Sequence, residues 1–442
     1  MKTLSFPHDF LWGTATSAHQ VEGGNHNNDW WAWEQTPGHI KDGSCSDPAC
    51  DWWNRAEEDF DRARQMGQNA HRLSVEWSRI EPREGHWSGE AIARYRQMLT
   101  ALRERGIEPM VTLHHFTNPL WLVEKGGWER EEAIPLFVRY VERVVQELGD
   151  LVSLWCTINE PTVVPFMGYS IGDFPPGKRD TRLAFKVLGN LLKAHAAAYH
   201  AIHRIQPQAQ VGVAHNMRAM DPANPRSPLD RWAASFRDRM GNRLVEWALT
   251  EGVLRFFPLG RTERVPELAG SFDYWGLNYY NRDRVVFDIS QPGQFFCRAL
   301  PAEHSQPVPW WWGEIHPQSL YRFLKELARY GKPIYITENG ALDNTDEYRP
   351  RYILTHLAAV HRAIAEGVPV KGYFHWSLVD NFEWADGYSA RFGLIHVDFE
   401  TQKRTIKRSG ELYREICLAG AITEDMVERY APEARDEIFQ GL

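Results

Sequence analysis

Apolar residues follow two alternating rhythms along this chain. Short runs rich in β-branched and aromatic residues occur at Phe10–Thr16, His71–Trp77, Pro109–His115, Leu154–Asn159, Val211–His215, Tyr274–Tyr280, Ile334–Thr337 and Gly372–Trp376. Runs of that length and composition read as strands. Between them, apolar residues recur three and four apart over Arg55–Met66, Glu90–Arg105, Glu132–Leu148, Leu183–Ile205, Leu229–Leu249, Gln318–Tyr330, Arg351–Glu366 and Ile406–Leu418. The set Ile134, Phe137, Val138, Val141, Val144, Val145 and Leu148 is one such helical stripe. Breakers such as Arg105-Gly106, Leu148-Gly149 and Gly367-Val368-Pro369 fall where these helices should end. Eight strand–helix units in succession predict an α/β fold, a single (β/α)8 TIM barrel. An open doubly wound sheet is the other arrangement the alternation permits. No low-complexity linker divides the chain, so residues 1–442 are expected to form one domain. The longest connections after strands are Ser17–Asn54, Asn281–Pro317, Asn339–Pro350 and Leu378–Thr405. They are βα loops, on the face where such barrels build active sites.

Two strand ends carry carboxylates in matching settings: Glu160 in Cys156-Thr157-Ile158-Asn159-Glu160-Pro161 and Glu338 in Tyr335-Ile336-Thr337-Glu338-Asn339-Gly340. A carboxylate at a strand end is ordinarily a surface charge or a helix cap. These two close the fourth and seventh strands, which stand across the barrel mouth from one another. Paired carboxylates facing a pocket are the equipment of glycoside hydrolysis. A gap of ~5–5.5 Å would give retention and ~6.5–9.5 Å inversion, and spacing along the chain does not choose between them.

Composition narrows the function classes. Hydrophobic residues make up 43% and charged residues 24%, enough for a large core under a wet surface. The net charge of −8 has no basic run within it, so neither nucleic acid nor an anionic membrane is an expected partner. No apolar stretch approaches the ~20 residues of a membrane span. The start, Met1-Lys2-Thr3-Leu4-Ser5-Phe6-Pro7, has no apolar signal core, which predicts a cytoplasmic protein. The five cysteines are odd in number and scattered, against a disulfide framework. Aromatic residues reach 13%, with 19 Trp. Most belong in a core, but Trp12, Trp121, Trp376 and Trp384 sit beside polar residues near strand ends, where flat rings suit the apolar faces of sugars.

The chain resembles glycoside hydrolase family 1, the β-glucosidase family, over essentially its whole length. The blocks that carry the resemblance are Phe10-Leu11-Trp12-Gly13-Thr14-Ala15-Thr16-Ser17-Ala18-His19-Gln20-Val21-Glu22-Gly23, Thr157-Ile158-Asn159-Glu160-Pro161, Ile336-Thr337-Glu338-Asn339-Gly340 and Trp376-Ser377-Leu378-Val379-Asp380-Asn381-Phe382-Glu383-Trp384. It implies a retaining β-glycosidase with Glu338 as nucleophile and Glu160 as general acid/base. Arg72 and Tyr280 would support the nucleophile. Gln20, His115, Asn159, Tyr280, Trp376, Glu383 and Trp384 would bind the sugar. Small β-glycosides and disaccharides would be the partners, with no metal or other cofactor; a homo-oligomer stays open. The reaction would be most like a β-glucosidase's, and β-galactosidase or β-fucosidase is the nearest rival. A sugar-binding protein without turnover is the alternative of another class; the presence of both glutamates argues against it. Two positions depart from the family pattern. Phe116 stands where Trp is usual, and Gly313, in Trp310-Trp311-Trp312-Gly313-Glu314-Ile315, takes the place of an aglycone-side Trp. Trp312 or Trp311 is therefore expected to line the leaving-group side.

Other motifs lead elsewhere and carry less. Gly168-Tyr169-Ser170-Ile171-Gly172 fits the G-x-S-x-G elbow of esterases, but Pro165 precedes it and Pro175-Pro176 follow, where strand and helix are required. His195, His200 and His203 share one helix with no carboxylate to complete a metal site, so surface or packing roles are expected. No phosphate-cradling glycine loop follows a strand, so no nucleotide is implied.

Overall fold

The structure, a computed structural model, describes residues 2–256, 260–302 and 312–440. Eight strands form one closed parallel barrel: β1 (Leu11–Ala15), β2 (Ala70–Ser74), β3 (Glu108–His114), β4 (Leu154–Asn159), β5 (Gln210–Asn216), β6 (Tyr274–Asn278), β7 (Ile334–Asn339) and β8 (Val370–Trp376). Closure runs through β8 and β1, where Gly372 pairs with Leu11 and Trp376 with Ala15. This is the (β/α)8 barrel, and closure excludes the open sheet. Each strand overlaps an expected run, with ends that differ by up to three residues. The second stops at Ser74 because Glu76 turns out of the sheet and its carboxylate caps the short helix Trp77–Ile80.

Most strand positions are apolar because both faces are covered, and the polar ones, such as Arg72 and His71, are buried among partners. Inside the barrel, Ala15, Ala70, Met110, Leu154, Tyr274 and Phe374 fill the floor. Gly212 leaves room there for the Tyr274 ring, since a Cβ would lie 2.6 Å from that ring. Outside, helices bury their apolar stripes against the strands; on Ala133–Leu148 the buried set is Ala133, Phe137, Tyr140, Val141, Val144, Val145 and Leu148. The expected helix Leu229–Leu249 is broken in two, Pro228–Asp238 and Leu244–Glu251, by a π turn at Arg239–Arg243. The region after β6 holds strands as well as loop. Arg282–Phe287 pairs with Ala219–Pro222 on one side and Cys297–Ala299 on the other. Among the described residues, no helix is long and apolar enough to cross a membrane.

Candidate active site

The strand ends converge on a cavity of about 290 Å³, lined among others by His115, Asn159, Glu160, Tyr280, Glu338, Trp376, Glu383 and Trp384. Glu160 ends β4 in the left-handed region, φ 46°, held there by its backbone N–H donating to Ala214 O at 2.7 Å. A non-glycine residue in that region is strained and turns the carboxyl into the cavity against the regular course of the strand. Its Oε1 accepts from Asn278 Nδ2 at 2.9 Å. Burial first, then the charge of Glu338, pushes the Glu160 carboxyl up to about 8.

Glu338, inside the end of β7, has stronger partners. Oε1 accepts from Arg72 Nη1 at 2.6 Å and Oε2 from the Tyr280 hydroxyl at 2.6 Å. Burial raises its carboxyl, while Arg72 and Tyr280 pull it back down. The two acids repel each other across one cavity, so the proton they share resides on Glu160. A cation and a phenol hold Glu338 ionised, whereas Glu160 has amides.

A layer behind the cavity wall fixes these groups. Arg72 is 1% exposed and bonds along both edges: Nη2 donates to Asn159 Oδ1 at 2.6 Å and Nε to Thr112 Oγ1 at 3.0 Å. With Oδ1 so engaged, Asn159 Nδ2 faces His115 Nε2 at 3.0 Å. The network thereby assigns the proton of a neutral His115 ring to Nδ1. Burial and the Arg72 charge keep that ring well below the usual histidine range. Glu383 Oε2 lies 3.3 Å from both Trp376 Nε1 and Gln20 Nε2. Gln20 is fully buried and does not line the cavity; its amide also donates to Phe382 O at 2.8 Å and its Oε1 accepts from Ser17. Trp376 and Trp384 lie nearly parallel to the His115 ring, each 6.0 Å from it. Burial among these rings pushes the Glu383 carboxyl well above the ordinary range.

The two departures have visible consequences. Phe116 adopts φ 73° and packs 4.9 Å from Trp384 on the cavity wall. Gly313 has φ 99°, and a Cβ there would lie 2.9 Å from both Arg218 Nη2 and Arg282 O. No larger residue fits that backbone, which accounts for the missing Trp. Trp312 lines the cavity instead, edge-on to Tyr280 at 5.8 Å and 5.3 Å from Phe392. Its carbonyl accepts from Arg218 Nη2 at 2.8 Å and Asn281 Nδ2 at 2.5 Å. Trp311 lies outside the described residues.

Sequence reasoning missed Asn278, which donates to Glu160, accepts from Thr337 Oγ1 at 2.7 Å and is paired in register with Glu338. Its one signal is a polar residue ending an apolar strand. Asn216, Arg218 and Phe392 were missed likewise. Ser170 lies in a π turn and bonds to Thr181 Oγ1 at 2.9 Å, far from any strand–helix elbow. His195 is buried with Nδ1 2.6 Å from Thr157 Oγ1, a packing role. Among the described residues, no group of three or more His, Cys, Asp or Glu is placed to hold a metal.

The chain matches Glycosyl hydrolase family 1 over residues 2–420. It is 37% identical to β-glucosidase A of Thermotoga maritima, over 94% of this chain and 98% of that one. A β-glycosidase from Pyrococcus horikoshii superposes with a TM-score of 0.90 at 40% identity, covering 97% of this chain and 98% of that one. The Thermotoga maritima β-glucosidase in complex with glucoimidazole superposes with a TM-score of 0.89 at 35% identity, covering 94% and 99%. The chain belongs to glycosyl hydrolase family 1, a family of retaining glycosidases.

Proposed function

We propose that this enzyme is a β-glucosidase that releases terminal non-reducing β-D-glucosyl residues from small unphosphorylated glycosides and disaccharides, including those of cellulose breakdown. The supporting observation is the asymmetry of the two carboxyls: Glu338 between Arg72 and Tyr280, Glu160 held by Asn278 with its carboxyl near 8. Glu160, protonated, gives its proton to the glycosidic oxygen as Glu338 attacks C1. The C1–O bond breaks, the alcohol leaves, and the glucosyl unit is bonded to Glu338. Glu160, now ionised, takes a proton from water, whose oxygen attacks C1 from the vacated side. The ester bond to Glu338 breaks, glucose departs with the β configuration, and both carboxyls return to their starting states.

Around the sugar, Trp376 offers an apolar face. Glu383 accepts from the outer hydroxyls, oriented by Gln20 and Trp376. His115 and Asn159 meet the remaining hydroxyls. A 6-phosphate would give up its hydration beside Glu383, Trp376 and Trp384, none of them a cation, and burying a charge without a partner disfavours phosphorylated substrates. The same contacts serve galactosides and fucosides less completely. All five cysteines are free, which supports a reducing, cytoplasmic setting. A panel of aryl β-glycosides compared by kcat/KM tests the reading: the glucoside should lead or match the fucoside. Absence of turnover on every β-glycoside would refute it.

A further inference from the structure

A second cavity, of about 410 Å³, opens among the loops that follow β1, β3 and β4, and it shares no lining residue with the catalytic pocket. Trp33, Trp128 and the Pro175-Pro176 pair give it apolar walls, and Asp29, Thr36 and Tyr169 give it polar groups. Tyr169 is 6% exposed and makes no side-chain hydrogen bond among the described residues. Burial, then the charges of Glu129 and Asp29, hold its phenol well above the ordinary range, so the hydroxyl lies within the field of both carboxyls.

Asp29 is held rigidly. Asn118 donates to its two oxygens from the backbone N–H and from Nδ2, both at 2.8 Å. Asn118 Oδ1 in turn accepts from Trp128 Nε1 at 2.7 Å. Burial pushes the Asp29 carboxyl up to about 7, so near neutrality it can donate as well as accept. Trp33 is backed by the His39 ring at 3.5 Å. At the rim Lys178 pairs with Glu129 at 2.5 Å.

Flat apolar walls beside a hydroxyl and a carboxyl that both donate and accept suit a neutral pyranose. An anion would meet the Asp29 carboxyl, and the Glu129 and Lys178 charges at the rim already neutralise each other, which leaves the flat apolar walls as the dominant feature for a ligand. We propose that this cavity is a second, non-catalytic site for a neutral sugar, glucose or a short β-glucoside, with Tyr169 and Asp29 bonding its hydroxyls. The choice of glucose rests on the proposed substrate class, while the site itself does not. Occupancy would also be felt at the catalytic pocket. Trp30, next to Asp29, packs 4.6 Å from Trp384 and 4.7 Å from Phe174, and both of those line the catalytic cavity.

The test is glucose titration, read by saturation-transfer NMR, of enzyme whose catalytic pocket is filled by a covalent 2-deoxy-2-fluoroglucosyl group. The expected result is saturable binding that weakens at least fivefold in Tyr169→Phe and in Trp33→Ala. Both variants should keep kcat/KM for an aryl glucoside within twofold of the unmodified enzyme. No binding to the filled enzyme, binding indifferent to both substitutions, or binding of methylammonium in preference to glucose would each overturn the proposal. If the fluorosugar does not label the enzyme, the catalytic reading fails by itself. Crystals soaked in glucose then decide this site, by sugar density between Trp33 and Tyr169 or its absence.

Discussion

Replacing Arg72 by Met tests the division of labour between the two carboxyls. The guanidinium and the Glu338 carboxylate are 1% and 4% exposed and in direct contact at 2.6 Å. Unit charges ~4 Å apart at an effective dielectric of about 20 interact by about 4 kcal/mol. At 1.36 kcal/mol per pKa unit, losing the cation should raise the Glu338 carboxyl by about 2–3 units. In the proposed mechanism Glu338 must be ionised to attack and so sets the acid limb of kcat/KM, while Glu160 must be protonated and so sets the alkaline limb. Arg72→Met should therefore move the acid limb up by about 2–3 units, toward the Glu160 value near 8. The proton would then no longer favour Glu160, and kcat/KM at the optimum should fall at least ~100-fold, about 2.7 kcal/mol in the barrier. A 2,4-dinitrophenyl glucoside suits the assay because its leaving group needs no proton, which isolates the nucleophile. Arg72→Lys keeps a charge but loses the fork to Asn159 and should fall between the two. An acid limb within about half a pH unit of the unmodified enzyme's, in Arg72→Met protein that remains folded, would refute the reasoning.

Other outcomes follow from the same geometry. Trp312→Ala should raise KM by an amount that varies with the aglycone, whereas a uniform or absent effect on a series of aryl and disaccharide substrates would place Trp312 in packing. Glu383→Ser should lower kcat/KM for glucosides far more than for β-fucosides, which lack one partner hydroxyl. In the unmodified enzyme glucoside 6-phosphate should be at least ~100-fold poorer than glucoside, and comparable values would overturn the substrate class. Glu160 binds its proton more tightly folded than unfolded, so its contribution to stability is complete below about 4.5 and is lost as pH rises to about 8. Thermal melts of Glu160→Gln should thus gain on the unmodified enzyme between pH 5 and pH 8. A Tm difference independent of pH would contradict the raised carboxyl.

The barrel was legible because parallel strands covered on both faces read as short, mainly apolar and aromatic runs that alternate with helical stripes, and all eight stood out. The break at Arg239–Arg243 was not, since a π turn adds a residue to a helix without interrupting its apolar content. Strand Arg282–Phe287 was missed because its mixed charged and apolar residues match neither rhythm. In the site, Glu160 and Glu338 were readable from local context, each ending a strand beside a turn-forming residue. Asn278 was not, because a lone Asn acquires meaning through the β6–β7 register that sets it beside Glu338. Gln20 was expected at the sugar and stands behind Glu383, a contact across 363 residues that no local pattern encodes.

The central claim is that Glu338 forms a covalent glucosyl intermediate, and trapping that intermediate tests it most directly. The enzyme would be inactivated with 2-deoxy-2-fluoro-β-D-glucosyl fluoride, digested, and its peptides sequenced by mass spectrometry. The account predicts one fluoroglucosyl group per chain, on the peptide containing Tyr335-Ile336-Thr337-Glu338-Asn339 and on the Glu338 carboxyl. Activity should return as the label hydrolyses. A label on Glu160, or turnover of glucosides with no covalent adduct under any condition, would contradict it.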